Sequence, residues 1–500
     1  MNRFLADGMV LQRNQEFRLS GIAKVGNLIK ASIAGLKIEV FCENEEYSLC
    51  IPAMGAGGPY ELKLYTDKDT KIYQDIYVGD IFVLSGQSNM ELPISWFYDT
   101  CKEEVDFFEC EQIRQFKVPV SYNFEAPQRE VTGGEWRKAL GSNKQEFSAV
   151  GFFFAKQMWE LTGVPIGLIL AAVCGAPIEA FLSRKHQITP PKDYSTKLLE
   201  KRLKWENLSR KRWYETLKQS DSGFTNQGTM TTRLPGLILN SGVGTYGVIW
   251  LHKQINIPKC KRDVQSLTAT LNLGMLVEED ETYINGVLVG HTDNQYPTRK
   301  YLVPQGVLHA GCNDISIRII NTRGVFRAIE GQNYSLEIEE KCYFLAGEWQ
   351  FQIGVIDNQW IPKQTVLQYL PYGVYNQMLA PLSNIEITGI LWYQGESNAG
   401  QPIGYCDKME KLLEQFRDLF HKQDIPFVYV QLPDYVDPFG ESGKGLEELQ
   451  KQQQEFADRN LKGVRMIPYL DVEDKFNLHP TDKKVVGERL AAGILALRED

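Results

Sequence analysis

Residues 81–91 read Ile-Phe-Val-Leu-Ser-Gly-Gln-Ser-Asn-Met-Glu. Four apolar residues, Ile81–Leu84, run straight into small and polar ones. This is how an α/β protein delivers a reactive side chain to the carboxyl end of a buried strand. Ser88 is the candidate nucleophile. A serine hydroxyl is a poor nucleophile alone and needs a base and an oxyanion site, so both must come from elsewhere in the chain.

Working outward, the pattern around this stretch is that of a parallel sheet. Residues 81–85 and 166–173 are continuous apolar runs, as expected for strands buried on both faces. Between them, Val150–Leu161 has apolar residues at helical spacing and then Thr-Gly, a helix with a glycine stop. The same pattern resumes late in the chain, with strand 387–393, helix 409–421, strand 427–431, strand 464–470 and helix 482–497. Residues 190–220 are charged and periodic and predict one or two surface helices.

Two other regions alternate with period two. Residues 1–75, with runs such as Tyr60-Glu-Leu-Lys-Leu-Tyr broken by glycine, read as a small β-sandwich. Residues 246–342 read as a second sandwich inserted into the α/β core. Within it, Ile284-Asn-Gly-Val sets Asn-Gly between apolar residues, the strongest short hairpin signal. The expected division is an amino-terminal β-sandwich over 1–75, core over 76–245 and 343–500, and an inserted β-sandwich over 246–342.

Bulk composition fits this division. The 500 residues exceed one ordinary core, and 43% hydrophobic with 23% charged residues is the balance of a soluble globular protein. A net charge of -9 argues against a nucleic-acid partner, because phosphate binding needs a basic surface. No membrane partner is expected, since the longest apolar stretch, Val164–Val173, is too short for a bilayer and contains Pro165 and Gly167. The opening residues lack the apolar region of a secretory signal. The nine scattered cysteines have no metal-binding spacing. They read as reduced thiols of a cytoplasmic protein. No cofactor and no metal is expected, and oligomeric state is not legible.

Three further segments lie just past apolar strands, where an α/β active site draws its groups. Ala172-Val-Cys-Gly-Ala-Pro-Ile-Glu-Ala places Gly175 where its backbone N–H can approach an oxyanion. Leu391-Trp-Tyr-Gln-Gly-Glu-Ser-Asn-Ala gathers Gln394, Glu396 and Asn398 around Gly395. The amide of Gln394 is a candidate second oxyanion donor, and Glu396 and Asn398 are candidate substrate contacts. Asp471-Val-Glu-Asp-Lys-Phe-Asn-Leu-His-Pro supplies His479. Of the six histidines it alone follows a strand of the main sheet, and it is the candidate base.

In this order, Gly86-Gln-Ser-Asn-Met, Cys174-Gly-Ala-Pro-Ile-Glu-Ala, Trp392-Tyr-Gln-Gly-Glu-Ser-Asn-Ala and Leu478-His-Pro resemble the blocks of the SGNH-type hydrolases. The chain is most similar to the sialate O-acetylesterase family. Flanking segments are similar too: Leu5-Ala-Asp-Gly-Met-Val-Leu-Gln-Arg, Tyr283-Ile-Asn-Gly-Val-Leu-Val-Gly and Tyr372-Gly-Val-Tyr-Asn-Gln-Met-Leu-Ala-Pro-Leu. The resemblance implies an SGNH-hydrolase α/β core with a flavodoxin-like parallel sheet. It also implies two jelly-roll-like accessory domains, one amino-terminal and one inserted, the latter galactose-binding-like. It implies a serine esterase that removes acetyl groups from O-acetylated sugars, typically at the 9-position of sialic acid. Ser88 would attack, His479 would carry the proton, and Ser88, Gly175 and Gln394 would hold the oxyanion.

One position departs from the family pattern. Where the family has Asp-Ile-His-Pro, this chain has Asn-Leu-His-Pro, with Asn477 in place of the aspartate. In serine proteases the equivalent exchange lowers kcat by about 10⁴ because it favours the wrong tautomer. Asp474 or Asp471 could reach His479 instead, a backbone carbonyl could orient it, or catalysis could be weak. The reading adopted is a working enzyme with Asp474 as the candidate orienting group. The alternatives are an acetylesterase of acetylxylan-type polysaccharide and a carbohydrate-binding protein with lost or weak catalysis. Arg184, shortly after the second block, could pair with a sialate carboxylate, but it reads first as an ordinary surface or structural arginine and is not counted among the site residues.

Overall fold

One 17-residue strand, β1 (Thr70–Gly86), carries the chain from the amino-terminal β layers into the core. Its first residues are exposed or half-buried, whereas every residue from Ile76 to Gly86 is buried. The computed structural model describes residues 3–66, 69–225, 227–239, 246–259, 264–295, 297–322, 324–357, 364–436, 443–471, 475 and 477–499. It forms two units, one of Met1–Leu199 with Val366–Asp500 and one of Glu200–Thr365.

In the first unit, the early part of β1 pairs antiparallel with Gly57–Tyr65, and Val10–Gln12 runs parallel to Tyr77–Gly79. A separate ribbon, Phe17–Ile22 with Glu46–Ile51, covers the apolar face of these strands. The chain thus passes the expected boundary at residue 75 without a break. From Asp80 onward β1 lies at the centre of a parallel sheet.

The other strands of that sheet are β2 (Cys110–Lys117), β3 (Trp136–Ala139), β4 (Ile166–Ala172), β5 (Gly389–Tyr393), β6 (Phe427–Val430) and β7 (Val464–Ile467). Their order is β7-β6-β5-β1-β4-β2-β3, parallel except for β3 at the edge. The coarse α/β expectation holds, but the flavodoxin-like strand order does not. That order places the second strand beside the first, whereas here β4 stands between β1 and β2. The side chains account for the exchange. β4 is buried throughout its length and fits an interior place beside β1. β2 exposes Glu111 and Lys117 and fits a place nearer the edge.

Helices α1 (Ser88–Glu91), α2 (Ala149–Thr162), α3 (Tyr405–Phe420), α4 (Gly443–Asp458) and α5 (Lys483–Glu499) connect or flank these strands. The Ser148 hydroxyl caps α2 by accepting from the Gly151 N–H at 3.0 Å. Helix α4 had no counterpart in the sequence reading. The charged stretch 190–220 forms one helix, Thr196–Ser220. No helix among the described residues is long and apolar enough to cross a membrane.

The second unit, described by itself, is built on antiparallel strands. Its six-stranded sheet runs from Met230–Leu234 through Gly347–Ile356, Gly247–Ile257, Gly311–Asn321 and Glu279–Ile284 to Val287–Thr292. It therefore takes in residues on both sides of the expected 246–342, because Gly347–Ile356 pairs with Gly247–Ile257 and Met230–Leu234 pairs with Gly347–Ile356. The Asn-Gly hairpin is present, with Asn285 and Gly286 at φ of 49° and 79° between Ile284 and Val287.

Candidate active site

The site forms where three adjacent strands end together. Ala172 of β4 and Tyr393 of β5 both pair with Gly86, the last residue of β1. The loops that follow these strands therefore flank Ser88, which opens α1. Gly86 has a φ of 133°, a backbone conformation that suits glycine. Past it, the Gln87 N–H donates to the Tyr393 carbonyl at 3.0 Å. The Ser148 hydroxyl donates to the Met90 carbonyl at 2.7 Å and holds α1 from below.

His479 comes from the segment between β7 and α5. Its Nε2 lies 2.9 Å from Ser88 Oγ, across 391 residues of sequence. Burial, aided by the Lys483 ammonium, pushes the imidazole down to about 3, so it is neutral across the ordinary working range. A neutral imidazole next to a serine hydroxyl is the arrangement of a base and its nucleophile. The Trp96 ring stands edge-on to that of His479, with centroids 6.4 Å apart.

Asn477 does not occupy the place of an orienting carboxylate. Its Oδ1 accepts the backbone N–H of His479 at 3.0 Å, a turn in which the amide closes on its own chain. Asp474 lies outside the described residues. Asp471 is engaged elsewhere, bonded by Arg489 Nη1 at 2.7 Å and by Arg489 Nη2.

Gly175 follows β4 at a φ of 71°. Its loop is tied down on both sides, because Cys174 N–H donates to Glu91 at 2.6 Å and the Ser397 hydroxyl donates to the Gly175 carbonyl at 2.7 Å. Among the described residues, no acceptor takes the backbone N–H of Ser88 or of Gly175.

The remaining block turns inward, and three expectations are corrected. Gln394 is fully buried. Its Nε2 donates to Gln87 Oε1 at 3.0 Å and Asn398 Oδ1 at 2.8 Å, with Ala176 O at 3.3 Å. Its Oε1 accepts from the Tyr405 hydroxyl at 2.7 Å. An amide nitrogen has two hydrogens, so none remains for an oxyanion. Asn398 donates to Glu179 at 2.9 Å and accepts from the Ile178 N–H at 3.0 Å, which leaves it bracing loops rather than meeting substrate. Glu396 accepts from Asn89 Nδ2 at 2.5 Å, and its Oε2 is buried without a hydrogen-bond partner among the described residues. Burial raises its pKa. Arg184 is also engaged, paired with Asp193 and stacked 4.8 Å from the Tyr372 ring centre.

Two residues that sequence reasoning passed over join this network. Asn89 follows the nucleophile, and its Nδ2 also donates to the Leu478 carbonyl at 3.1 Å. Lys483, at the start of α5, is buried, with its Nζ 2.5 Å from Asn89 Oδ1 and 4.8 Å from the Phe97 ring centre. The run Asp482-Lys-Lys looks like a solvated helix start. The one available signal was the place of Asn89 inside the Gly-Gln-Ser-Asn block. Among the described residues, no group of three or more His, Cys, Asp or Glu side chains is placed to hold a metal ion.

Comparison with known proteins fits this site. Residues 355–496 match the family described as carbohydrate esterase, sialic acid-specific acetylesterase. The sialate O-acetylesterase of Rattus norvegicus is 28% identical over 150 residues, 28% of this chain and 28% of that protein. That of Homo sapiens is 25% identical over 154 residues, 29% of each. The matched segment thus spans less than a third of these curated relatives. The family match over residues 355–496 contains Gln394 and His479 but not Ser88 or Gly175. A carbohydrate acetylesterase from Xanthomonas citri shares the fold, with a TM-score of 0.58 at 22% identity over 99% of this chain and 74% of its own. The resemblance to the sialate O-acetylesterase family is borne out by these matches.

Proposed function

We propose that this protein is a serine carbohydrate O-acetylesterase, with O-acetylated sialic acids as the first substrates to test. The observation that carries the reading is the 2.9 Å contact between Ser88 Oγ and His479 Nε2 at the mouth of three converging strand ends. On this reading His479 Nε2 takes the Ser88 proton while Oγ bonds to the acetyl carbonyl carbon. The N–H groups of Ser88 and Gly175 hold the oxyanion, a role that Gln394 does not share. The tetrahedral intermediate collapses, and the sugar oxygen leaves with the proton from His479. Water, activated by the same imidazole, then attacks the acetyl-serine and frees acetate.

A sugar as the leaving group is supported by the rim. Trp96 and Tyr369 are each more than half exposed. Trp96 stands beside His479, and a Tyr369 ring carbon lies 3.6 Å from where a Gly175 β-carbon would be. Two exposed rings, one beside His479 and one beside Gly175, suit a pyranose, whose apolar face packs on aromatics.

Acetate release from a panel of O-acetylated sialic acids and acetylated xylo-oligosaccharides tests the reading. Hydrolysis of a sialic acid, abolished in Ser88→Ala, is expected. Hydrolysis of the xylo-oligosaccharides alone would move the assignment to polysaccharide. Binding of sugars without any acetate release would make the protein a carbohydrate-binding one.

A further inference from the structure

We propose that Lys483, acting through Asn89, is a positioning residue for His479, fixing the peptide that carries the imidazole and setting the charge it faces. The inference rests on the reading of Ser88 and His479 as the reacting pair.

The geometry is that of a clamp. Asn89 neighbours Ser88 in the chain, and Leu478 neighbours His479. One amide hydrogen of Asn89 goes to the Leu478 carbonyl at 3.1 Å, the other to Glu396 at 2.5 Å. Its oxygen accepts from Lys483 at 2.5 Å. One planar amide therefore links the nucleophile, the histidine-bearing peptide, the β5 loop and the head of α5. Rotating it would break all three bonds, so Lys483 and Glu396 hold it against rotation from opposite ends.

The electrostatics point the same way. An ammonium is buried only at a cost that hydrogen bonds and an opposing charge must offset. Lys483 has Asn89 for the first and Glu396 for the second. Burial nevertheless brings it down to about 7, with Glu396 and Asp482 opposing the fall. Among the described residues, the titratable and charged groups facing this pair are Glu396 on the β5 loop, Tyr393 at the end of β5 and Asp482 beside the head of α5, with the Ser88 hydroxyl against the imidazole. The Phe97 and Trp96 rings complete the surround. Asn477 turns to its own backbone, and among the described residues the Lys483 ammonium acts on the His479 imidazole. A nearby cation disfavours the imidazolium. The imidazole is therefore kept neutral, and able to accept the serine proton, to lower pH than it otherwise would be.

The test is kcat/KM against pH with 4-nitrophenyl acetate. The wild-type acid limb is expected below the ~6.5 of free imidazole. In Lys483→Met the limb should move up by about one pH unit, with kcat falling more than KM changes. Lys483→Arg keeps the charge and should keep the limb. Asn89→Ala, which cuts the tie to Leu478, should lower kcat by about 100-fold. A role in packing alone would lower activity in Lys483→Met at every pH with an unmoved limb, and that result overturns the proposal. If the Met variant does not fold, a wild-type limb at or above ~6.5 overturns it without any variant. Ser88→Ala with full turnover would remove the underlying reading. An inactive Ser88→Ala together with an unmoved limb in Lys483→Met removes this inference alone.

Discussion

A β-carbon on Gly86 would lie 2.1 Å from the carbonyl oxygen of Tyr393. The strand that delivers Ser88 and the strand that delivers the Gln394 block meet at this point, and Gln87 N–H bonds the same oxygen at 3.0 Å. Gly86→Ala must separate β1 from β5 at the site itself. It is expected to cost about 1–3 kcal/mol of stability, as overpacking does, and to lose esterase activity out of proportion to that. Urea unfolding and hydrolysis of 4-nitrophenyl acetate check both; a variant with wild-type kcat would show that the close approach is dispensable.

Gln394 offers a test between two roles. With both amide hydrogens bonded inside the protein, Gln394→Leu removes the side-chain bonds to Gln87, Asn398 and Tyr405, while Gln87 Oε1 keeps the Ser397 N–H at 3.2 Å and the Tyr405 hydroxyl keeps the backbone carbonyl of residue 394 at 3.0 Å. Each buried hydrogen bond lost costs about 0.5–1.5 kcal/mol net, so the melting temperature should fall clearly. An oxyanion donor would behave differently, lowering kcat by about 100- to 1000-fold with little change in stability. The second pattern would restore the role first expected of it.

The buried lysine also predicts how stability depends on pH. In the fold Lys483 titrates near 7, against the ordinary 10.5. Between these values the unfolded chain holds a proton that the folded chain has released, so this group makes stability rise with pH across that window. Measured from pH 7 to 10, wild-type unfolding free energy should gain on that of Lys483→Met. Parallel curves would show that the ammonium is not buried as described. His479 acts in the same sense at lower pH, its contribution falling as pH drops from 6.5 towards about 3.

Trp96 stands exposed beside His479. If it packs against the sugar, Trp96→Ala should raise KM for an acetylated sugar about fivefold, the equivalent of roughly 1 kcal/mol of stacking. The KM for 4-nitrophenyl acetate should rise less. Equal rises for both esters would place Trp96 in support of His479 rather than in contact with substrate.

Much of the fold was legible because it is written in local pattern. The apolar run ending at Gly86, the helix expected at 150–161 and the Asn-Gly hairpin at 284–287 all depend on neighbours a few residues away. The structure has β1 to Gly86, a helix over Ala149–Thr162 and that hairpin. Less legible was anything that depends on a distant partner. The order of β4 and β2 beside β1 follows from which strand is buried on both faces, and periodicity does not rank strands against each other. Asn398 and Glu396 look like substrate contacts in a polar loop, yet they bond Glu179 and Asn89, 219 and 307 residues away.

By itself the amino-acid sequence determined the chemistry on offer. It set a serine at the end of a buried strand, a glycine and a histidine after two others, an asparagine where an aspartate was expected, and the apolar patterns that raise those strands. Tertiary structure decided which of these groups remain available. It brought Ser88 and His479 to 2.9 Å, filled both hydrogens of Gln394, closed Asn477 on its own backbone and buried Lys483 beside the imidazole. The physical reason is that a side chain's type states what bonds it can make, while only its packed neighbours decide which of those bonds are already made.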